Sequence, residues 1–422
     1  MRILFVEPGS ADAFSPIALA RPVFELLCGT RSVRRRVLEI LKPDSWGVVV
    51  RPHLEDIYRL EHPEAHLNDA DWISLDDTII VNGLWIGNPH QLQKLSQDNP
   101  VLNCNGETAA LFRSPNDSAF DKNNLRESIN AVFKTAVETT DESEQTGTIL
   151  HYPWGLIKNN GETINLDFEL FQYNQQVSLL PESLLQLLTP DEQARTFIDP
   201  QAELEPFVSI NANNGPVIVE AGVKIQSFTR LEGPCFIGEQ TQLFRANIRE
   251  ETSIGPVCRI GGEIEGSIIH GFANKYHDGF LGHSYVCSWV NLGALTTNSD
   301  LKNDYSNVKI PLGQQYLDTG DRKIGCFIGD HAKTAIGTLF NTGSNVGVMA
   351  MVLPAGKLCP KHIPSFCRLW HGRLDDECNF DAACQTAATA MGRRNQNFTE
   401  THRKLFENIR NITQPERTDA CG

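Results

Sequence analysis

Between Val219 and Leu358 the apolar residues of this chain count in sixes. Val219, Ile225, Leu231, Ile237 and Leu243 stand six apart, and Ile248, Ile254 and Ile260 resume the count after a one-residue slip. Val286 and Leu292 keep the same spacing. Beyond an interruption, Ile328, Phe340, Val346, Val352 and Leu358 share a further register, with Thr334 in the remaining slot. A hexapeptide period marks a β-solenoid, in which each repeat is one short strand and a turn and stacks one aliphatic side chain inside the prism. The pattern predicts a solenoid from about Val208 to Leu369, within a domain of residues 191–374. The interruption, Asn298 to Lys323, is polar and rich in Lys and Asp, as a loop leaving the regular coils would be.

Residues 1–190 follow another rhythm. Arg2–Val6, Trp46–Val50 and Thr78–Val81 are short apolar runs, and a helical stretch around Leu54, Ile57, Tyr58 and Leu60 lies between the last two. Strands alternating with helices predict a Rossmann-like α/β domain with a parallel sheet of the nucleotide-binding kind and ligands at the strand C-termini. The stretch from about Arg113 to Gly147 is polar and acidic at its end, and reads as an excursion or a helix pair. Pro190 and Pro200 punctuate a connector and place the domain change near residue 190. After Asp375 the alanines at 382, 383, 387, 388 and 390 predict helix. Gly392 interrupts it, and Leu405, Ile409 and Ile412 then share one helical face. This tail, 375–422, is expected to cap the solenoid or pack against a neighbouring chain.

Composition narrows the function. The net charge of −15 argues against a nucleic-acid or membrane-surface binder, though a local cluster of Arg and Lys can still hold an anionic ligand. The 11 Cys show no CxxC pair and no zinc-like spacing, so reduced thiols in a cytoplasm are expected. No apolar run approaches the ~20 residues that span a bilayer.

The chemistry centres on Asn274–Thr297, where His277, Gly282 and Asn291-Leu292-Gly293-Ala294 stand in a fixed spacing. This stretch resembles the acyltransferase half of the bifunctional N-acetylglucosamine-1-phosphate uridyltransferase/glucosamine-1-phosphate acetyltransferase family, in a variant branch regarded as sugar nucleotidyltransferases. The resemblance covers about residues 215–360. It implies a left-handed parallel β-helix, acetyl-CoA as co-substrate, a homotrimer, and a product of the UDP-N-acetylglucosamine type. His277 would then be the general base that takes the proton of the attacking amine, oriented by Asp278 or Glu263. Arg245, Arg249, Arg259, Lys275, Lys302 and Lys309 are the cations near the right coils. Of these, the resemblance assigns Arg249, Arg259, Lys275 and Lys302, with Asn291 and Asn298, to the sugar phosphate. Phe280 stands where the family has a Tyr. Asn298-Ser299-Asp300 matches a later family turn, two residues closer to Asn291 than usual. The coenzyme would lie along the coils near Ala335, Gly337, Gly343 and Ala350.

In the N-terminal domain, Ser15–Pro22 followed by Gly29-Thr30-Arg31 is similar to the sugar nucleotidyltransferase signature. Arg21, Gly29 and Arg31 are the nucleotide-binding candidates, with a nucleoside triphosphate and a sugar 1-phosphate as substrates. The order is changed from the family's, Val23 stands at its Lys position, and no Gly-rich loop follows the first strand. A helix with a basic solvated face of Arg31, Arg34, Arg35 and Arg36 explains the stretch equally well. Phosphoryl transfer would bring Mg2+, for which Asp76, Asp77 and Asn82 are possible ligands. Two other classes stay open. The β-helix could be structural with only the first domain active, or it could be a zinc hydratase of the carbonic anhydrase type using His270, His277, His283 and His331. Five residues rather than four separate His277 from His283, which counts against the latter.

Overall fold

The computed structural model describes residues 1–136, 146–178, 180–313 and 315–421. The chain forms two compact units. One is Met1–Phe14, Ala20–Leu26 and Arg31–Tyr152; the other is Ser15–Leu19, Leu27–Thr30 and Pro153–Gly422.

The first unit is built on a six-stranded sheet. We number its strands β1 (Arg2–Val6), β2 (Ser45–Val49), β3 (His66–Leu67), β4 (Thr78–Asn82), β5 (Val101–Cys104) and β6 (Glu107–Arg113), in the order β3-β2-β1-β4-β6-β5. β1 lies parallel to both β2 and β4, and its apolar sequence suits a strand covered on both faces. The parallel sheet expected from the sequence ends there, because β6 pairs antiparallel with β4 and with β5. Helix α1 (Val33–Leu41) is capped by the Ser32 side chain. Helix α2 (Leu125–Thr135) buries Leu125, Ile129 and Phe133 beside Leu4, Val6, Ile80 and Leu111. The acidic end of the predicted excursion, 137–145, lies outside the described residues. From β1 the chain moves outward to β2 and β3, then returns to the other side of β1 as β4. The C-terminal ends of β1 and β4 therefore form a topological switch point, where open α/β sheets bind ligands.

The second unit begins earlier than Pro190. Helix α3 (Trp154–Leu170) buries Ile164 and Phe168 against Phe197, Ile218 and Phe236, which face outward from the first coils. The prolines thus punctuate a connector inside this unit. The coils then form a parallel β-helix with three faces and one inner stack per face. The first stack is aliphatic throughout, from Ile198 and Val219 to Val346 and Ile363. The second runs Leu204, Ile225, Leu243, Ile260, then Lys275, with Thr334, Val352 and Leu369 further along. The third runs Ile210, Leu231, Ile248, Ile264 and Leu281, with Asn298 and Phe340 further along. Each buried aliphatic contributes roughly 1.5–3 kcal/mol relative to exposure, so the polar residues Lys275, Asn298 and Thr334 need a reason to be inside. The predicted register fails at Leu358, which is 58% exposed while Cys359 enters the core. Leu358 pairs with outward-facing Leu339, so its neighbour continues the inner stack.

The interruption leaves the coils after Asp300 and returns at Ile324, whose N–H donates to the Asp300 carbonyl (2.9 Å). It carries an antiparallel hairpin, Lys309–Leu312 with Gln315–Asp318. The tail folds as α4 (Phe380–Gly392), α5 (Glu400–Ile412) and α6 (Gln414–Cys421). Cys384, Ala387 and Met391 are buried on α4, and the Phe406 edge of α5 meets the His331 ring at 5.2 Å. Leu405 and Ile409 are buried as expected, but Ile412 is exposed. Arg417 of α6 donates to the Ser365 carbonyl of a late coil (3.3 Å).

Candidate active site

Outward residues of the second face form one ladder: Gln242, Arg259, Asn274, Asn291, Lys333, Met351 and Arg368. The tail lies over it. A cleft of about 500 Å3 is lined by Gln242, Phe244, Arg259, Asn274, Tyr276 and His277 from the coils, with Arg393 and Arg394 from the end of α4. A smaller cavity of about 130 Å3 includes Asn274, Asn291, Arg393 and Arg394. The structure therefore brings together His277, Arg259 and, through Asn274, Asn291. It adds two arginines that sequence reasoning missed. Arg393-Arg394 is legible as a basic pair after an alanine helix, but only the folded-back tail shows where it points.

Local sequence shapes this cleft. The Phe244 and Tyr276 rings approach to 4.0 Å across Gly261, where a Cβ would stand 2.1 Å from the Tyr276 carbonyl oxygen. The Tyr276 ring meets His277 edge-on at 4.8 Å. Among the described residues no hydrogen bond joins the His277 ring to Asp278 or Glu263, the partners expected for it. Lys275 has a different place from the one assigned. Its stem occupies the inner stack, and its ammonium donates to the carbonyls of Gly261 (2.8 Å) and His277 (3.1 Å). Burial pulls its pKa down to about 8, with Asp278 opposing the shift. Lys275 thus pins the turn that carries His277 and is withdrawn from a sugar phosphate. Arg259 remains in the cleft; its pKa is lowered by burial and then by Arg394.

Three other assignments part from the cleft. Arg249 sits among Glu232, Glu250, Glu263 and Glu265 at 3.1–3.7 Å, so an incoming phosphate would face carboxylates there. Asn298 turns inward, accepting from the Gly282 N–H (2.9 Å) and donating to its carbonyl (3.0 Å). Lys302 donates to Ser306 (3.1 Å) and to the Asn307 carbonyl (2.6 Å) within the interruption. For the coenzyme, Ala350 is fully buried in the solenoid core and cannot touch an outside ligand. Ala335 is half-buried and Gly337, with φ +65, stands at an open corner.

At the corner after the third face, His283 Nδ1 lies 2.7 Å from Asp300 Oδ2. Burial alone would raise the Asp300 pKa, but the His283 hydrogen bond and charge and the Lys323 ammonium lower it. Spacing could have shown this pair, since 17 residues is the usual coil length here, as in Ile237 to Ile254. The four histidines of the zinc alternative do not converge, and no group of three His, Cys, Asp or Glu among the described residues could hold a metal.

In the first unit, a cavity of about 490 Å3 opens at the switch point, lined by Pro8, Gly9, Ser10, Asn82, Thr108, Glu107, Lys134 and His151, among others. Arg21, Gly29 and Arg31 are not in it. The Gly29 N–H donates to Asn160 (2.8 Å), and Thr30 donates to Asp167 through both N–H (2.7 Å) and hydroxyl (2.8 Å). Arg31 pairs with Glu39 (3.1 Å), and the Arg21 carbonyl accepts from Arg51 (3.3 Å). Nor is the arginine run a solvated face, since Arg34 pairs with Glu25 and Arg36 is buried. The buried Glu7 at the end of β1 fixes the loop, accepting from the Val23 N–H (3.1 Å) and pairing with Arg51 (2.9 Å). Asp76 and Asp77 precede β4 and Asn82 ends it, so about 13 Å of strand separates the expected metal trio.

A mixed sheet with a cavity at its switch point, joined in one chain to a hexapeptide β-helix with an arginine-lined histidine cleft, defines a two-module protein. Residues 2–176 match the family described as sugar nucleotidyl transferase. The chain is also similar to a "Bifunctional sugar-1-phosphate nucleotidylyltransferase/acetyltransferase" of Sulfurisphaera tokodaii, 32% identical over 143 residues. That match covers 33% of this chain and 36% of the relative, so the chain spans about a third of the length of the relative it matches. Two solved UDP-N-acetylglucosamine acyltransferases were also found, each 13% identical. The Campylobacter jejuni protein covers 50% of this chain and 94% of its own at a TM-score of 0.21. The Arabidopsis protein covers 47% and 80% at 0.19. Likenesses this slight carry no argument about function.

Proposed function

We propose that this chain is a bifunctional transferase of sugar-nucleotide biosynthesis, with acetyl transfer to an amino-sugar 1-phosphate in the β-helix and nucleotidyl transfer in the first unit. The observation that carries the first half is the cleft holding His277 with Arg259, Arg393 and Arg394. The three guanidiniums suit a phosphate dianion, because their forked donors match its oxygens. With the phosphate held there, His277 accepts a proton from the sugar amine as its nitrogen attacks the thioester carbonyl of acetyl-CoA. The C–N bond forms, the C–S bond breaks, and the proton passes to the departing thiolate. The coenzyme would run along the coils past Ala335 and Gly337. Lys275 acts through His277, holding its turn.

The His283–Asp300 pair favours a second reading. A carboxylate on Nδ1 fixes the tautomer and leaves Nε2 as the acceptor, the usual arrangement of an oriented base. Its surroundings are acidic, however, with Glu265 beside it, and an anionic sugar would have to overcome that field.

For nucleotidyl transfer, the cavity at β1 and β4 replaces the Gly29-Thr30-Arg31 loop as the triphosphate site, with Lys134 as its cation. Mg2+ would enter with the triphosphate, since it keeps waters and phosphate oxygens as ligands, and Glu107 is the carboxylate within reach of it. Leu295, Ile336, Leu339 and Leu358 leave apolar surface exposed on the coils, which supports a homotrimer. Light scattering that gave a monomer at micromolar concentration would refute that assembly. The function itself is tested with glucosamine 1-phosphate and acetyl-CoA, following free thiol, and with N-acetylglucosamine 1-phosphate and UTP, following pyrophosphate. Release of both products supports the reading, and release of neither across a panel of sugar 1-phosphates and nucleoside triphosphates overturns it.

A further inference from the structure

Beneath the first turns of α4, away from Arg393 and Arg394, lies a cavity of about 290 Å3. The coils contribute Met349, Met351, Leu353 and Trp370, and α4 contributes Ala382 and Ala383. Met351 is 40% and Trp370 45% exposed, so neither the solenoid nor the helix covers this apolar surface. Along the ladder, Met351 is three coils from Asn274, or about 14 Å at ~4.8 Å per strand, which separates this cavity from the His277 cleft.

Its charges are unequally matched. Arg368 is engaged by Asp375 (3.0 Å) and Glu377 (2.5 Å), which also accounts for the one carboxylate in the lining. Lys333 donates to the His331 carbonyl (3.0 Å), and no ion pair or carboxylate bears on it among the described residues. Burial holds its pKa down to about 8, which leaves it mostly charged at neutral pH. An ammonium with donors to spare beside an apolar wall fits a ligand with one negative charge and an apolar body. The N-terminus of α4, capped by Asn379, lies at the other end of the cavity, beside Arg368 and Glu377.

We propose that this cavity binds a medium-chain carboxylate, its chain against Met351, Leu353 and Trp370 and its head group on Lys333. A monoanion fits better than a phosphate dianion, because Arg368 is already taken. The volume, about ten waters at ~30 Å3 each, suits a chain of about eight carbons. The site is independent of the acetyl-transfer reading, since Lys333 has no part in it.

The test is calorimetric titration of the full-length protein with octanoate, octan-1-ol and acetate at pH 7. Octanoate should bind and acetate should not. Lys333→Met should weaken octanoate about tenfold or more while leaving octan-1-ol unchanged, because only the acid needs the ammonium. Ala383→Trp, placed on the helix side to fill the cavity, should weaken both. Failure of octanoate to bind the parent, or equal binding by parent and both variants, overturns the proposal.

Discussion

His277 and His283 stand six residues apart, at successive corners of one solenoid, and their settings are opposite. The corner of His277 gathers Arg259, Arg393 and Arg394 around a ring with no carboxylate bonded to it. The corner of His283 gathers Asp300 and Glu265, with Arg249 nearby neutralised by four carboxylates. A shared spacing therefore says little about chemistry; what faces each corner decides it. The cationic corner owes its charge to a tail more than a hundred residues away in sequence, and the acidic corner to residues one coil above and below.

The largest effect should separate these corners. His277→Ala should lower kcat for acetyl transfer about 10²–10⁴-fold with a thermal midpoint close to the parent's. His283→Ala should leave the buried Asp300 without its hydrogen-bond partner and cost about 1–3 kcal/mol of stability, with a smaller change in rate. A reversal of these two outcomes, read by steady-state kinetics and thermal denaturation, would move the base to His283.

Lys275 serves the His277 turn from inside. Its folded pKa, about 8, lies below the 10.5 of a free lysine. From pH 8 to 10.5 the unfolded chain holds the extra proton, so folding becomes more favourable as pH rises, by about 3 kcal/mol in total. Below pH 8 both states are protonated and the full cost of the buried charge remains. Denaturant titrations at pH 7 and pH 10 should show the parent gaining this stability relative to Lys275→Met. Equal pH dependence in both proteins would mean that the ammonium is solvated. The same variant should lower kcat about tenfold by freeing the His277 turn, with the sugar KM little changed.

Arg249→Met is the third test. It should destabilise the protein by about 1–2 kcal/mol, because Glu232, Glu250, Glu263 and Glu265 lose their shared counter-charge, partly screened by solvent. The smallest effect is expected at Leu358, where substitution by Lys should change the monomer's thermal midpoint by no more than about 0.5 kcal/mol equivalent, since the side chain is exposed.

The inner stacks were legible because one aliphatic residue per six has no other simple cause, and the strands Arg2–Val6 and Thr78–Val81 because apolar runs of that length fit a covered sheet. Polar residues were harder. Lys275 and Asn298 read as ligands because sequence shows their chemistry but not their direction, and here both point into the prism to satisfy backbone carbonyls and amides. Gly29 and Thr30 matched a phosphate loop in composition, yet Asn160 and Asp167 take their donors. Leu358 was lost to a one-residue slip that moves the inner position to Cys359. Arg393 and Arg394 had no local pattern to give them away, because their role depends on where α4 lies.

On this reading the arginine-lined corner, and not the carboxylate-lined one, holds the sugar phosphate. Equilibrium binding of glucosamine 1-phosphate to the parent, to Arg393→Met/Arg394→Met and to Arg249→Met tests it without requiring turnover. The double variant should lose at least about tenfold in affinity, while Arg249→Met binds like the parent. Loss of binding in Arg249→Met with retention in the double variant would contradict the account.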